Sequence, residues 1–363
     1  MNQIYRTYKV KKRDTIFSIA NNNNLDCYEL IDYHNKRAEN HEKIKGRLPD
    51  FLKEVILPPE GYTLKNGKEV WTLENLQEPN VLQESYFGKL RFKPYNKDLS
   101  YGVLKKIKNG VKENTIKYNV NIRFYPTDKF GMQTVSVNII NSKIFINDQE
   151  PSLVADELAV TCTEILYPIV FQLDKNANLI EIQNHKDILK RWQKQKKTKL
   201  KYYQGKTAQD YINSFEQTIN DKGLCLFYLK NDWFYHLYFN EIYSVYANDL
   251  LKEDKVFFPI IPNTNPIMFN VKKSANKFIK TNKIKIDIKG ACSDNRSKEE
   301  LVNKIYYPAF YTKNRPSVKG NYRCMYILKP DNNTIQHAFL ESSLELNSLK
   351  QISISISEII DDK

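Results

Sequence analysis

Cys162 followed downstream by His236 is the pairing that a thiol nucleophile and its base would need. Asp156-Glu157 is the nearest approach to the paired carboxylates of general acid–base work. Neither arrangement favours the chemistry. A reactive cysteine opens a helix, where free amides stabilise its thiolate. Cys162 instead falls in mid-helix, on the apolar side that Leu158 and Ile165 define, and reads as a buried thiol. Asp156 and Glu157 are neighbours on that same helix, so their side chains diverge. The histidines (His34, His41, His185, His236, His337) stand far apart, and H-E-x-x-H, G-x-S-x-G and Walker sequences are absent. Cys27, Cys162, Cys225, Cys292 and Cys324 are odd in number and lack a C-x-x-C, which favours reduced, buried thiols over disulfides or a zinc site. No catalytic residue, metal or cofactor is assigned. Asn231-Asp232-Trp233, ahead of Phe234-Tyr235-His236, reads as a helix cap followed by core.

Binding chemistry is better represented. Between His185 and Lys206, one acid (Asp187) faces Lys186, Lys190, Arg191, Lys194, Lys196, Lys197, Lys199, Lys201 and Lys206, with Trp192 and Leu200 marking an apolar side. Such a helix commonly lays its aliphatic stems over a core and keeps its charges in water. The functional alternative is a basic partner-binding face of Lys190, Arg191, Lys194, Lys197 and Lys201 for an acidic protein. Nucleic acid is less favoured, because phosphate contacts alone read no sequence and no nucleic-acid motif accompanies the net charge of +14.

These groups need elements to position them. A length of 363 residues implies two or three domains, at roughly 100–200 residues each. Tyrosine (24) and phenylalanine (18) outnumber glycine (11), which excludes a fibrous or low-complexity chain. The first residues, Met1-Asn2-Gln3-Ile4-Tyr5-Arg6, carry no apolar signal core and no run of 18 apolar residues occurs. The expectation is a cytoplasmic protein without a membrane span.

Tyr5 to Val10 alternates as a strand, and Asp14 stands where a helix N-cap belongs. Ile16, Ile19 and Ala20 follow at i, i+3, i+4; Asn21 to Asn24 ends that helix, Leu25 to Tyr33 forms a second, and Val55-Ile56-Leu57 before Pro58-Pro59 is a closing strand. Residues 61–112 read as a connector with little regular structure, punctuated by Gly61, Gly67, Pro79, Gly88, Pro94, Gly102 and Gly110. From Thr115, strands are expected at 117–124, 133–140 and 143–146 with an Asn141-Ser142 turn, then a helix after Pro151 and paired strands at 168–173 and 178–182. Helices follow at 185–203, 207–221 and 224–246. Beyond Lys255 the pattern is β again: 283–289, a hairpin of 322–328 and 334–340, and an Ile/Ser alternation at 351–357. These C-terminal strands are either a separate β domain or a sheet shared with the middle block.

The order Tyr8-Lys9-Val10, Arg13-Asp14-Thr15-Ile16, Ser18-Ile19-Ala20, Leu30-Ile31 and Asn35 resembles the LysM module, a βααβ unit that binds N-acetylglucosamine polymers such as peptidoglycan. The resemblance implies a groove of Arg13, Asp14, Thr15 and Ile16 facing Asn35 and Lys36. Two departures stand against sugar. Arg13 replaces the family's glycine, and the second loop is enlarged by Ile44 to Glu54. The block 115–250 resembles the body of Bacteroidetes proteins that carry an N-terminal LysM, through Ile146-Asn147-Asp148-Gln149-Glu150-Pro151, Ala155-Asp156-Glu157-Leu158-Ala159 and Lys230-Asn231-Asp232-Trp233-Phe234. Those proteins look like accessory components of contractile injection (type VI-like) machinery, beside spike-tip proteins. The expected fold is α+β: a LysM module at 1–60, a connector at 61–112, an α+β domain at 113–254 and a β-rich domain at 255–363. The expected function is non-enzymatic docking on a spike-tip, hub or effector protein. A peptidoglycan binder at the cell envelope is the alternative.

Overall fold

The computed structural model describes the chain except residues 1–5, 13, 24, 26, 46, 59–62, 66–67, 71–82, 87, 94–97, 129–131, 247–253, 280, 309–317 and 360–363. It is an α+β protein that divides into two compact units, Met1–Val81 and Leu82–Lys363.

In the first unit, β1 (Arg6–Lys9), α1 (Ile16–Asn22), α2 (Cys27–Asn35) and β2 (Glu54–Leu57) follow in order, and β1 pairs antiparallel with β2. The i, i+3, i+4 spacing of Ile16, Ile19 and Ala20 puts all three in a core with Leu30, Ile44, Leu52, Val55 and Leu57. The N-cap of α1 is Thr15, one residue later than the expected Asp14. A short hairpin of β3 (Thr63–Lys65) and β4 (Lys68–Val70) follows, where the sequence reads as irregular connector.

The second unit begins with β5 (Gln83–Ser85), β6 (Gly88–Lys89), β7 (Asp98–Asn109), β8 (Lys112–Phe124) and β9 (Gln133–Ile146). Next come α3 (Val154–Glu164), β10 (Ile169–Leu173), β11 (Leu179–Ile182), α4 (His185–Lys197), α5 (Lys206–Asn220), α6 (Lys222–Lys230) and α7 (Trp233–Tyr238). The remainder is β12 (Val245–Tyr246), β13 (Asp254–Phe258), β14 (Ile267–Phe278), β15 (Ile284–Cys292), α8 (Lys298–Val302), β16 (Gly320–Leu328), β17 (Ile335–Glu345) and β18 (Leu349–Glu358). Most strands form one twelve-stranded antiparallel sheet in the order β11-β10-β9-β8-β7-β18-β17-β16-β15-β14-β13, with β5 also on β14. Strands β6 and β12 pair separately.

Alternation along each strand gives the sheet two unlike faces. Tyr101 and Val103 of β7, Ile352, Ile354 and Ile356 of β18, Leu340 of β17 and Tyr322, Cys324 and Tyr326 of β16 turn towards α3–α7 and are buried. The opposite face carries Lys106, Ser353, Ser355, Glu341, Arg323 and Lys289.

Several expectations change. Residues 98–109 are a central strand joining the middle and C-terminal strands, so the sheet is shared and the expected boundary at 254/255 does not divide it. Leu99, Tyr101 and Val103 supply the alternation; Gly102 lies inside the strand, and only Gly110, at φ +60°, opens a two-residue turn to β8. Asn141 and Ser142 lie within β9, which bulges there against β8 instead of turning. The helix expected at 224–246 is two, because Asp232 Oδ1 accepts the Phe234 amide at 2.8 Å and starts α7 afresh.

Candidate functional site

Of the groove candidates, Arg13 lies outside the described residues. The others are bonded within their own unit. Asp14 Oδ2 accepts the Lys11 amide at 2.8 Å. Its bond to the Tyr8 hydroxyl, which must then stay protonated, raises that phenol's pKa. Thr15 Oγ1 accepts the Ser18 amide at 3.1 Å while Ser18 Oγ accepts the Thr15 amide at 2.9 Å, a reciprocal cap. Ile16 is a core residue. Asn35 Nδ2 donates to the Ile44 carbonyl at 2.9 Å and its Oδ1 accepts the Ile44 amide at 2.7 Å. The amide thus fixes the enlarged loop as a strand partner would. Lys36 pairs at the surface with Asp32, 2.8 Å away and one turn back.

His34, in the last turn of α2, is 1% exposed and joins that helix to β2, a role its sequence position did not mark. Its Nδ1 accepts the Ile56 amide at 3.0 Å, so Nε2 carries the proton and donates to the Glu42 carbonyl at 3.0 Å. A histidine following Tyr33 in an amphipathic helix carried no signal of that role, because both partners are backbone groups of a distant loop and strand. Among its described residues the unit also exposes three large rings, Phe17, Tyr28 and Phe51, each more than 60% open to solvent.

The basic helix separates into two groups. Arg191 is withdrawn from the surface: Nε donates to the Ile165 carbonyl at 2.7 Å, and Nη2 to those of Leu166 and Pro168 at 3.0 and 3.1 Å. Burial lowers its pKa against the opposing influence of Asp187. Lys196 bonds Glu216 at 2.7 Å, and Trp192 Nε1 shares that carboxylate at 2.8 Å, which together hold Glu216 below the usual range. Lys190 is exposed, 3.3 Å from Asp187. Lys194, Lys197 and Lys201 are exposed without an ion-pair partner among the described residues. Lys190, Lys194 and Lys197 share one face of α4 at i, i+4, i+7 spacing, and Lys201 stands on the 3-10 turn Lys199–Tyr202 beyond it.

Beneath the helices lies a polar layer that the sequence did not mark. Lys105, on the helix side of β7, donates to Asp232 Oδ2 at 2.8 Å. Its Nζ lies 5.3 Å from the centroid of Tyr118 and 5.9 Å from that of Trp233, within cation–π range. Tyr167 and Tyr235 hydroxyls meet at 3.3 Å, Tyr238 donates to Tyr101 at 3.1 Å, and Tyr101 donates to the Ile335 carbonyl at 2.7 Å. Asn240 and Tyr326 join at 3.0 Å, and Tyr326 donates to the Leu237 carbonyl at 3.0 Å. These bonds tie α7 and its exit to β7, β16 and β17.

The same burial disarms reactive groups. It pushes Cys162 and Cys324 up to about 12, and raises the phenols of Tyr118, Tyr235, Tyr322 and Tyr326 far from neutrality. It lowers His236 to about 4, so the imidazole is neutral at pH 7. His236 faces Phe258 and Tyr322, whereas Cys162 influences Tyr211 on α5; the two are not a nucleophile–base pair. Asp156 and Glu157 occupy the first turn of α3.

No helix among the described residues is long and apolar enough to cross a membrane. No family model matches the chain, and no curated protein matches it. Among solved structures the chain is similar to lipovitellin, in a structure titled "Lipid-protein interactions in lipovitellin", with a TM-score of 0.35 and 10% identity. That match covers 76% of this chain and 26% of the lipovitellin chain. At that score the likeness carries no argument about fold or ligand.

Proposed function

We propose that this protein is a non-enzymatic binding and assembly component: an adaptor or structural accessory of a contractile injection (type VI-like) spike or baseplate, docking through a LysM-like N-terminal unit. The observation that carries this reading is the state of the groove candidates. Asn35, Asp14 and Thr15 have their polar atoms bonded to nearby backbone and side chains, whereas a sugar site needs such groups free to meet hydroxyls. Exposed Phe17, Tyr28 and Phe51 are the kind of side chain that anchors protein interfaces. The exposed lysines of α4 add a basic surface suited to an acidic protein.

The test is affinity purification of the tagged chain from native lysate. Co-purification with a spike-tip, hub or effector protein supports the reading; recovery as a lone monomer would sink it. The second reading, a peptidoglycan or N-acetylglucosamine binder, draws on the same three rings, since sugar faces stack on aromatics. Sedimentation with purified sacculi, lost on changing Phe17 and Phe51 to serine, would favour it.

A further inference from the structure

The sheet face turned away from the helices holds a row of cations that the proposed docking does not use. Register places Lys272 of β14 opposite Lys289 of β15, and Lys289 opposite Arg323 of β16. All three point to the outer face, because Val271, Ile288, Tyr322 and Cys324 beside them are buried on the helix side. Directly opposed residues of antiparallel strands have Cβ atoms about 4.5–5.5 Å apart, and like charges there are destabilising. Two such pairs share Lys289.

Nearby acids do not relieve this row. Asp287, two residues before Lys289 on β15, is held by Lys285 through Oδ2 at 3.1 Å, and its Oδ1 is buried without a hydrogen-bond donor among the described residues. Glu341 lies opposite Arg323 on β17, yet it accepts Gln351 Nε2 at 2.7 Å and forms no ion pair with Arg323 among the described residues. Arg323 Nε is buried and has no acceptor among the described residues. A buried donor without a partner is destabilising, and an acceptor brought to it relieves that cost.

One step further along the same strands the residues become small. Ala291, Asn321 and Ser343 occupy the next outward row, and with Gly320, Lys319 and the carboxylate Glu345 they line a recess of about 520 Å³. Gly320 has no space for a side chain, since a Cβ there would lie 2.5 Å from the Ser343 carbonyl oxygen. Backbone closes on the recess at Gly320, and Lys289 and Arg323 stand one outward row from its Ala291 and Asn321.

We propose that Lys272, Lys289 and Arg323, with the adjoining recess, form a binding site for a phosphate group carried on a small molecule that occupies the recess. A guanidinium fork takes two oxygens of one tetrahedral anion while ammonium groups act as point charges on the others. Lys272, Lys289, Arg323 and Lys319 stand beside two acids, Glu341 and Glu345, an excess of two positive charges that a dianion matches and a single carboxylate only halves. The site is independent of the N-terminal docking proposed above.

The test uses the full chain at low ionic strength, with inorganic phosphate as probe and chloride and acetate at matched ionic strength as controls. Phosphate should bind saturably by calorimetry and raise the melting temperature beyond both controls. Lys289→Gln should weaken phosphate binding at least tenfold while leaving unchanged, or raising, the melting temperature without phosphate, because it removes both like-charge pairs. Lys272→Gln should do the same to a smaller degree. The proposal is overturned if phosphate acts no more strongly than chloride or acetate, or if Lys289→Gln binds phosphate unchanged. It is equally overturned if both glutamine variants melt lower without phosphate, since the cations would then be internally paired.

Discussion

Replacing Asp232 by alanine removes two interactions with one carboxylate. Oδ1 caps α7 through the Phe234 amide, a contribution of about 1 kcal/mol. Oδ2 is the counter-charge of Lys105, whose side chain is 10% exposed. Removing one member of a buried pair strands the other, at a cost of about 3–5 kcal/mol. The Asp232 side chain is 38% exposed, so water reaches that end of the pair and the lower part of the range applies. The two losses together come to about 3–4 kcal/mol. Lys105→Met fills similar space and leaves Asp232 near water with its cap intact, so it should cost less than about 1.5 kcal/mol. The double variant should recover about 2 kcal/mol relative to Asp232→Ala alone, because no stranded cation remains. Urea unfolding followed by tryptophan fluorescence reads these differences, provided the slopes agree among variants. Thermal unfolding should show Asp232→Ala melting roughly 6–16 °C lower, at about 2–4 °C per kcal/mol for a domain of this size. Equal losses for Asp232→Ala and Lys105→Met, or additivity in the double variant, would refute the stranded-charge account.

Stability should fall as pH drops from about 6.5 towards 4, since the unfolded His236 binds its proton at the ordinary value and the folded one resists until about 4. His236→Phe should flatten that part of a pH–stability curve, and an unchanged slope would assign it to other groups. Asn35→Leu leaves both backbone groups of buried Ile44 unpaired, so the first unit should lose about 2 kcal/mol, read as roughly thirty-fold faster hydrogen exchange at the Ile44 amide. Gly290→Ala should cost at least about 1–3 kcal/mol by thermal unfolding, because its Cβ would lie 2.0 Å from the Asn270 carbonyl oxygen. Gly102→Ala meets nothing closer than 3.7 Å and should melt within a degree or two of the parent.

Much of the local structure was legible because it follows a period. The spacing of Ile16, Ile19 and Ala20 fixed the buried side of α1, and the Ile/Ser alternation fixed which side of β18 meets the core. Asp232 read correctly as a cap, and Cys162 as a buried thiol. The connector was misread because Gly102 and Gly110 were both given the same meaning. One packs inside a strand, with only the Asn119 side chain near it, while the other makes a turn. Arg191 was misplaced for a related reason. Its helical position does not reveal that the carbonyls of Ile165, Leu166 and Pro168 point at it.

The sequence by itself determined the α+β class and, where a period was unbroken as in α1, β8 and β18, the element type and its apolar side, since these depend on neighbours within a few residues. Tertiary structure alone decided what those elements meet. Strand order placed β7 between β8 and β18 and made one sheet of segments that read as separate blocks. Register set Lys272, Lys289 and Arg323 side by side across three strands, although they span 52 residues of chain. Likewise, the Asn35 side chain lies against the Ile44 backbone because the enlarged loop folds back on α2. Hydrogen-bond register and loop closure are long-range properties, and no periodicity within a segment encodes the partner that it will find.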